Sequence, residues 1–316
     1  MIEVKNLSKR YGPVLAVDNI SFQVERGGVV GFLGPNGAGK TTTLRILTCF
    51  QPATKGSASI GGFDVFKDSM EVRKRVGYLP ESVPMYPEMR AREYLHFRGK
   101  LRGMSYPERA EAIRRVTDRC WLGEFIDRPI GHLSKGMKQR VGLADAIMHN
   151  PEVLILDEPT IGLDPTQIRE TRKLIAELGR QHTILLSSHI LPEVEQTCSR
   201  TIIIAGGRIV ASGSPQELRD QLSAKARVVA EFRGPAAEIE KGARALEGVE
   251  ALEVSASDGW VRLAVQPRPQ RDVREDLFKL ATSKGWSLRE LRREGATLED
   301  FFVQVTAQQQ LGRNVK

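Results

Sequence analysis

The sequence predicts an α/β fold, with strands and helices alternating around a parallel sheet, followed by a small α+β domain. Three observations predict it. The run 29–33 is apolar and strand-like, and the runs 153–156, 183–186 and 201–205 are apolar almost throughout, as strands buried on both faces are, with a helix-like stretch between the first two of these. A glycine-rich loop at 34–39 leads from the first run directly into a helix-like run, 42–50. From residue 228 on, segments follow in the order β-α-β-β-α-β, the pattern of a ferredoxin-like unit. At 316 residues the chain is long enough for two domains.

The elements follow in order. Residues 1–33 alternate and turn like an antiparallel β-layer, with strand segments at 2–4, 14–17 and 20–24. Short strand-like pieces recur at 57–60 and 76–79. Between 86 and 147 the pattern becomes helical, with apolar residues three and four apart such as Tyr94, Phe97 and Leu101; Pro107, Gly123 and Pro129 divide it into several helices. The strand 153–156 is followed by a helix at 165–178 and a strand at 183–186. Composition shifts near 219–227, so domains are expected at 1–220 and 221–307. In the second, strands are predicted at 228–232, 251–254, 260–265 and 287–292, with helices at 236–246, 272–283 and 298–305. The tail 308–316 is predicted to fray.

Gly34, Pro35, Asn36, Gly37, Ala38, Gly39, Lys40, Thr41 and Thr42 fit the G-x-x-x-x-G-K-[ST] phosphate loop in its strand–loop–helix setting. The glycines let several backbone N–H groups converge on a triphosphate, and the following helix adds the partial positive charge of its N-terminus. Lys40 then reaches the β and γ phosphates, and the Thr41 hydroxyl is a ligand for Mg²⁺. The strand 153–156 ends in Asp157 and Glu158. Asp157 suits an ion held through water, and Glu158, pointing differently, suits orienting or deprotonating an attacking water. Ser134 suits an N-cap and Gly136 permits close backbone approach, a second anion-binding helix start; alone, it reads as an ordinary capped helix. His189 follows the strand ending in Ser187 and Ser188, where it can contact a γ phosphate and hold water and base in geometry. Tyr11 is placed to stack on an adenine ring, although a core or surface tyrosine fits the position as well.

With 41% hydrophobic and 27% charged residues, the composition is that of an ordinary globular protein. The longest apolar runs are strand-sized, far short of the ~18–20 residues that span a bilayer, and residues 1–11 hold no apolar secretion region. Cys49, Cys120 and Cys198 have no metal spacing and read as reduced packing residues; the five histidines show no zinc pattern. The net charge is +8, but acids and bases are interspersed. The densest basic excess, at 90–119, reads as a solvated face, or as a surface for an acidic partner or an anionic leaflet.

Together these pieces resemble the nucleotide-binding domain of ATP-binding cassette (ABC) transporters over residues 1 to about 220. Gly34 to Thr42 matches the family's Walker A, 153–158 its Walker B with the catalytic glutamate, and 133–137 its signature. Residues 161–164 match the D-loop, His189 the switch histidine and Tyr11 the aromatic A-loop. The resemblance implies a P-loop NTPase cassette: a mixed sheet core, an antiparallel β-layer and an inserted helical subdomain at about 86–147. It implies ATP and Mg²⁺ as cofactors, with Thr41, Glu81 and Asp157 at the metal. It implies a homodimer or paired cassettes, in which Ser134 and Gly136 of one copy complete the Walker A site of the other. A separately encoded integral-membrane permease is the expected partner, no nucleic acid is expected, and the expected place is the cytoplasmic face of the membrane. Two positions depart from the common pattern. Glu81 stands where the Q-loop usually has glutamine, and the signature has Lys135 and Met137 in place of glycine and glutamine. With Tyr86, Pro87, Glu88 and Met89, and with Leu298, Glu299, Asp300, Phe301 and Phe302, these departures resemble the ABC-2-type exporter subfamily. The rival reading is a soluble cassette ATPase acting on ribosomes or DNA. Those types resemble tandem cassettes or carry long coiled coils, whereas this chain has one Walker A and no long heptad run.

Overall fold

The computed structural model describes residues 1–223, 227–268 and 271–294. They form two compact units, one running to Pro215 and the other from Gln216.

The first unit is built on two sheets. Strands β1 (Ile2–Tyr11) and β2 (Val14–Val24) pair as an antiparallel hairpin. The next strand, β3 (Gly28–Leu33), does not join them. This corrects the expectation of a single antiparallel layer over 1–33. Its residues 29–33 are all buried, so it needs cover on both faces, whereas β1 alternates between buried and exposed positions. Helix α1 (Lys40–Leu47) follows, then β4 (Lys55–Ile60) and β5 (Phe63–Asp64), which complete a four-stranded sheet in the order β2-β1-β4-β5. Helix α2 (Ser69–Arg75) leads to β6 (Val76–Leu79).

A helical segment comes next: α3 (Ala91–Leu101), α4 (Tyr106–Arg119), a 3-10 turn (Ile130–His132) and α5 (Lys135–Ile147). Helix α4 starts on a reciprocal capping box between Ser105 and Glu108. The inward face of α3 differs from the predicted Tyr94–Phe97–Leu101 stripe. Ala91, Tyr94, Leu95 and Gly99 are buried, while Leu101 is 63% exposed. The reason is electrostatic. Arg98 and Arg102 reach Asp145 of α5 at 2.9 and 3.7 Å, and this aspartate, only 4% exposed, must keep a counter-charge.

The chain then returns to the main sheet through β7 (Val153–Asp157), α6 (Pro165–Leu178), β8 (Thr183–Ser188), α7 (Leu191–Thr197), β9 (Arg200–Ala205) and β10 (Arg208–Gly213). The sheet order is β10-β9-β3-β8-β7-β6, parallel throughout except for the edge strand β10, which pairs antiparallel with β9. Leu44 and Leu47 of α1 share one core with Ile2, Val4 and Val24 of the smaller sheet and with Phe32, Ile155 and Leu185 of the larger. Each such fully buried side chain contributes about 1.5–3 kcal/mol. Helix α1 is thereby held between the sheets, and the phosphate loop before it has a rigid mount. Because β3, β6, β7 and β8 are parallel, the segments that follow them all emerge at one edge of the sheet.

The second unit opens with α8 (Pro215–Ser223), whose first residue lies at the division between the units. It continues with β11 (Arg227–Arg233), α9 (Ala236–Arg244), β12 (Val249–Ser257), β13 (Trp260–Pro267), α10 (Arg274–Lys284) and β14 (Ser287–Glu294). The sheet is antiparallel in the order β12-β13-β11-β14, the ferredoxin-like arrangement predicted from the element order. Ala230, Phe232 and Leu263 pack with Ile239 and Ala243 of α9 and with Leu277 and Ala281 of α10. The predicted helix at 298–305, the motif from Leu298 to Phe302 and the tail lie outside the described residues.

Candidate active site

The loop after β3 closes on itself around Lys40. Gly34 N donates to Ser188 O at 3.2 Å, and Ala38 N to Pro35 O at 3.1 Å. Gly39 has φ +108°, and a Cβ there would stand 2.6 Å from Ala16 O, so only glycine fits on both counts. The Lys40 ammonium, almost fully buried, donates to Gly34 O at 2.6 Å and Pro35 O at 3.3 Å, and lies 3.3 Å from Glu158 Oε1. Asn36, Gly37, Gly39, Lys40, Thr41 and Thr42 line a cleft of about 350 Å³, joined by Ala16, Glu81, Glu158 and Ile161.

The two acids after β7 have different surroundings. Asp157 is fully buried, and the Ser187 hydroxyl donates to its Oδ1 at 2.5 Å. Burial pushes its carboxyl above the ordinary aspartate range; hydrogen bonds from Ser187 and Thr41 pull it back, and the charges of Glu158 and Glu81 push it further up. Glu158 turns the other way because its φ is +50°, in the left-handed region. Its amide donates to Ser187 Oγ at 3.0 Å, and its Oε2 lies 2.9 Å from His189 Nδ1. Asp157 Oδ2 is buried without a hydrogen-bond partner, whereas Glu158 Oε1, which has none either, faces the Lys40 ammonium at 3.3 Å. An orphaned carboxylate oxygen at the mouth of a phosphate loop suits Mg²⁺. That ion keeps several waters and takes one or two protein oxygens with phosphate oxygens.

Of the residues singled out from sequence, the fold brings the run from Gly34 to Thr42 together with Glu81, Asp157, Glu158 and His189. The other three, Tyr11, Ser134 and Gly136, have contacts of their own. Tyr11, 43% exposed, donates its hydroxyl to Gln51 at 2.7 Å, and Gln51 donates on to Thr42 O at 3.3 Å, so Tyr11 is tethered to the start of α1. Ser134 caps α5, its Oγ accepting from Met137 N at 3.2 Å. Gly136 packs so closely on Gln167 and Leu163 that a Cβ would collide with the Gln167 amide. Lys135 lies over Gly162, so the signature turn and the segment leading into α6 are packed against each other within one chain. Two contributors were not singled out from sequence: Ser187, which holds Asp157 and the Glu158 amide, and Ala16, which lines the cleft beside Ile161 of the D-loop run. The available signal was Ser187 itself, a polar residue ending an apolar strand.

The fold and site define a phosphate-loop ATPase built as a cassette. A profile of the ABC transporter family matches residues 17–161. The linearmycin resistance ATP-binding protein LnrL of Bacillus subtilis (strain 168) is 31% identical over 309 residues, 97% of this chain and 98% of its own length. The bacitracin transport ATP-binding protein BcrA of Bacillus licheniformis is 35% identical over 96% of this chain and 97% of its own. Among solved structures, the ATP-binding subunit of an ABC transporter is 32% identical with a TM-score of 0.65, over 70% of this chain and 92% of that one. The dimeric structure of a bacterial ABC transporter cassette is 25% identical with a TM-score of 0.63, over 68% and 98%. The chain belongs to the ABC transporter family, as an ATP-binding subunit with ATPase activity.

Proposed function

We propose that this chain is the ATP-hydrolysing subunit of an ABC-2-type exporter, and that two copies close head to tail around two Mg·ATP. One observation carries the reading. The cleft beside Lys40 is walled by the phosphate loop, Glu81, Glu158 and Ile161, and Ser134 and Gly136 are not among its lining residues. In the proposed pair the helix start at Ser134 serves the nucleotide held by the other copy, which sets two helix N-termini on one triphosphate.

Within each site Lys40 binds the β and γ phosphates, while Thr41, Asp157 and Glu81 are the groups that would hold Mg²⁺, which supplies charge neutralisation on the phosphate oxygens. A triphosphate that draws the Lys40 ammonium onto its own oxygens takes it from Glu158 Oε1. That oxygen can then accept the proton of the water attacking the γ phosphorus, as the bond to the bridging oxygen of ADP breaks. His189, against Glu158 Oε2, holds the base in orientation.

The transport role draws support from the relatives, whose names include a Nod factor export ATP-binding protein 39% identical to this chain. No helix among the described residues is long and apolar enough to cross a membrane, so export requires a membrane-spanning partner. Part of the basic stretch is already engaged within the chain. Arg98 is spent on Asp145, Arg92 on Asp127, and Arg109 and Arg115 on the backbone carbonyls of Met104 and Met148. The test is sedimentation of the purified chain with membranes containing the neighbouring-gene permease, against ribosomes and against DNA. Binding to the permease membranes alone is expected; binding to ribosomes or DNA instead refutes the exporter reading.

A further inference from the structure

Behind the Glu158–His189 contact lies a second buried bond between the same two segments. Thr160, two residues after Glu158, and Glu193, four after His189, are 7% and 8% exposed, and Thr160 Oγ1 donates to Glu193 Oε2 at 2.7 Å. Neither lines the nucleotide cleft. A carboxylate buried there is a costly way to fill space, since an apolar pair packs without desolvating a charge. What the polar pair adds is direction: one donor and one acceptor at fixed separation.

We propose that Thr160 and Glu193 are a positioning pair for the ATPase reaction, locking the segment after Asp157 to the start of α7 so that Glu158 and His189 meet. The inference rests on the roles assigned above to those two residues. Glu158 holds a left-handed backbone, which a non-glycine residue keeps only where its surroundings enforce it. On one side, its amide is held by Ser187 Oγ at 3.0 Å. On the other, the chain turns back through Ile161 N to Glu158 O at 3.2 Å, and Thr160 lies within that turn. His189 directly follows β8; the amide of the next residue, Ile190, is held by Ser188 Oγ at 3.0 Å, and the segment then enters α7 with Glu193 in its first turn. The Thr160–Glu193 bond closes the far end of both segments. Without it, the two segments lose the bond that ties them to each other beyond Glu158 and His189, and the 2.9 Å approach of Glu158 Oε2 to His189 Nδ1 loosens. ATP binding, carried by the phosphate loop, is untouched.

The test is a set of variants assayed for kcat, for KM with Mg·ATP and for the thermal midpoint. T160V and E193M each lower kcat by roughly 10- to 100-fold with KM within roughly threefold of wild type. T160S and E193Q keep a donor and an acceptor oxygen and stay near wild-type turnover. The double variant T160V/E193M removes the unpaired buried carboxylate, so its thermal midpoint recovers while kcat stays low, which a merely structural role would not produce. Wild-type kcat in the double variant, or loss of kcat only in step with lost folded protein, overturns the proposal. E158Q run alongside separates the two layers. If E158Q turns over at the wild-type rate, the base assignment falls and the pair with it. If E158Q is inactive but T160V/E193M is fully active, the pair alone falls.

Discussion

Replacing Ser187 by alanine removes one hydroxyl from under both acids, and the structure sets the size of the effect. That hydroxyl is fully buried, donates to Asp157 Oδ1 at 2.5 Å and accepts from Glu158 N at 3.0 Å. The bond to the carboxylate is charge-assisted and contributes about 1.5–3 kcal/mol. The Glu158 amide keeps Ser187 O at 3.3 Å, so the second loss is smaller, about 0.5–1 kcal/mol. S187A therefore costs about 2–4 kcal/mol, which for a unit of this size lowers the thermal midpoint by about 5–15 °C. The pH dependence has a definite sign. Burial holds the Asp157 carboxyl above 3.8, and loss of the Ser187 bond raises it further. A folded-state pKa above the unfolded value means that the ionised group costs stability at neutral pH. That cost fades as the proton returns, so the S187A deficit is largest at neutral pH and shrinks as the pH falls toward the ordinary aspartate range. Scanning fluorimetry of wild type and S187A across a pH series reads both quantities. A midpoint within about 2 °C of wild type at neutral pH, or a deficit that widens on acidification, refutes the reasoning.

Three further expectations follow from other parts of the first unit. K40A loses the charge-assisted phosphate contact and binds ATP roughly 10- to 100-fold more weakly, read by titration with a fluorescent nucleotide; unchanged affinity contradicts the placement of Lys40. R98M leaves Asp145 buried without its 2.9 Å partner and costs about 3 kcal/mol, seen as a lower urea midpoint at unchanged slope; a neutral effect shows that Arg102 alone suffices. Burial, with Arg102 beside it, pushes His149 down to about 3. The unfolded chain takes up this proton from pH 6.5 downward and the folded chain does not, so the group's stability is complete above pH 6.5. It is lost at about 1.4 kcal/mol per pH unit as the pH falls toward 3. H149N flattens that part of the stability profile, and an unaltered acid limb refutes the assignment.

What the sequence revealed and what it hid divide along one line. Runs such as 153–156 announce their burial on both faces, because the residues that must be apolar are neighbours in the chain. The phosphate loop, the acids and the helix cap are likewise local patterns. Non-local facts were not legible. That β3 leaves the hairpin and pairs with β8 and β9 depends on strands more than 150 residues away. Ser187 serves Asp157 because β7 and β8 set Asp157 opposite Ser187, a register that no single segment encodes. Leu101 fits an apolar stripe, but Asp145 on another helix claims the inward face for Arg98 and Arg102. Ser134 and Gly136 read correctly as a helix start, yet nothing in their neighbourhood says that the cleft of their own chain excludes them.

The most direct test of the central claim is the mass of E158Q in solution, measured by light scattering with and without saturating Mg·ATP. Loss of the base stalls hydrolysis by roughly 10²- to 10⁴-fold while binding persists, so nucleotide should hold two chains together. One chain's mass is expected without nucleotide and twice that mass with it. One chain's mass under both conditions, with ATP bound, contradicts the claim.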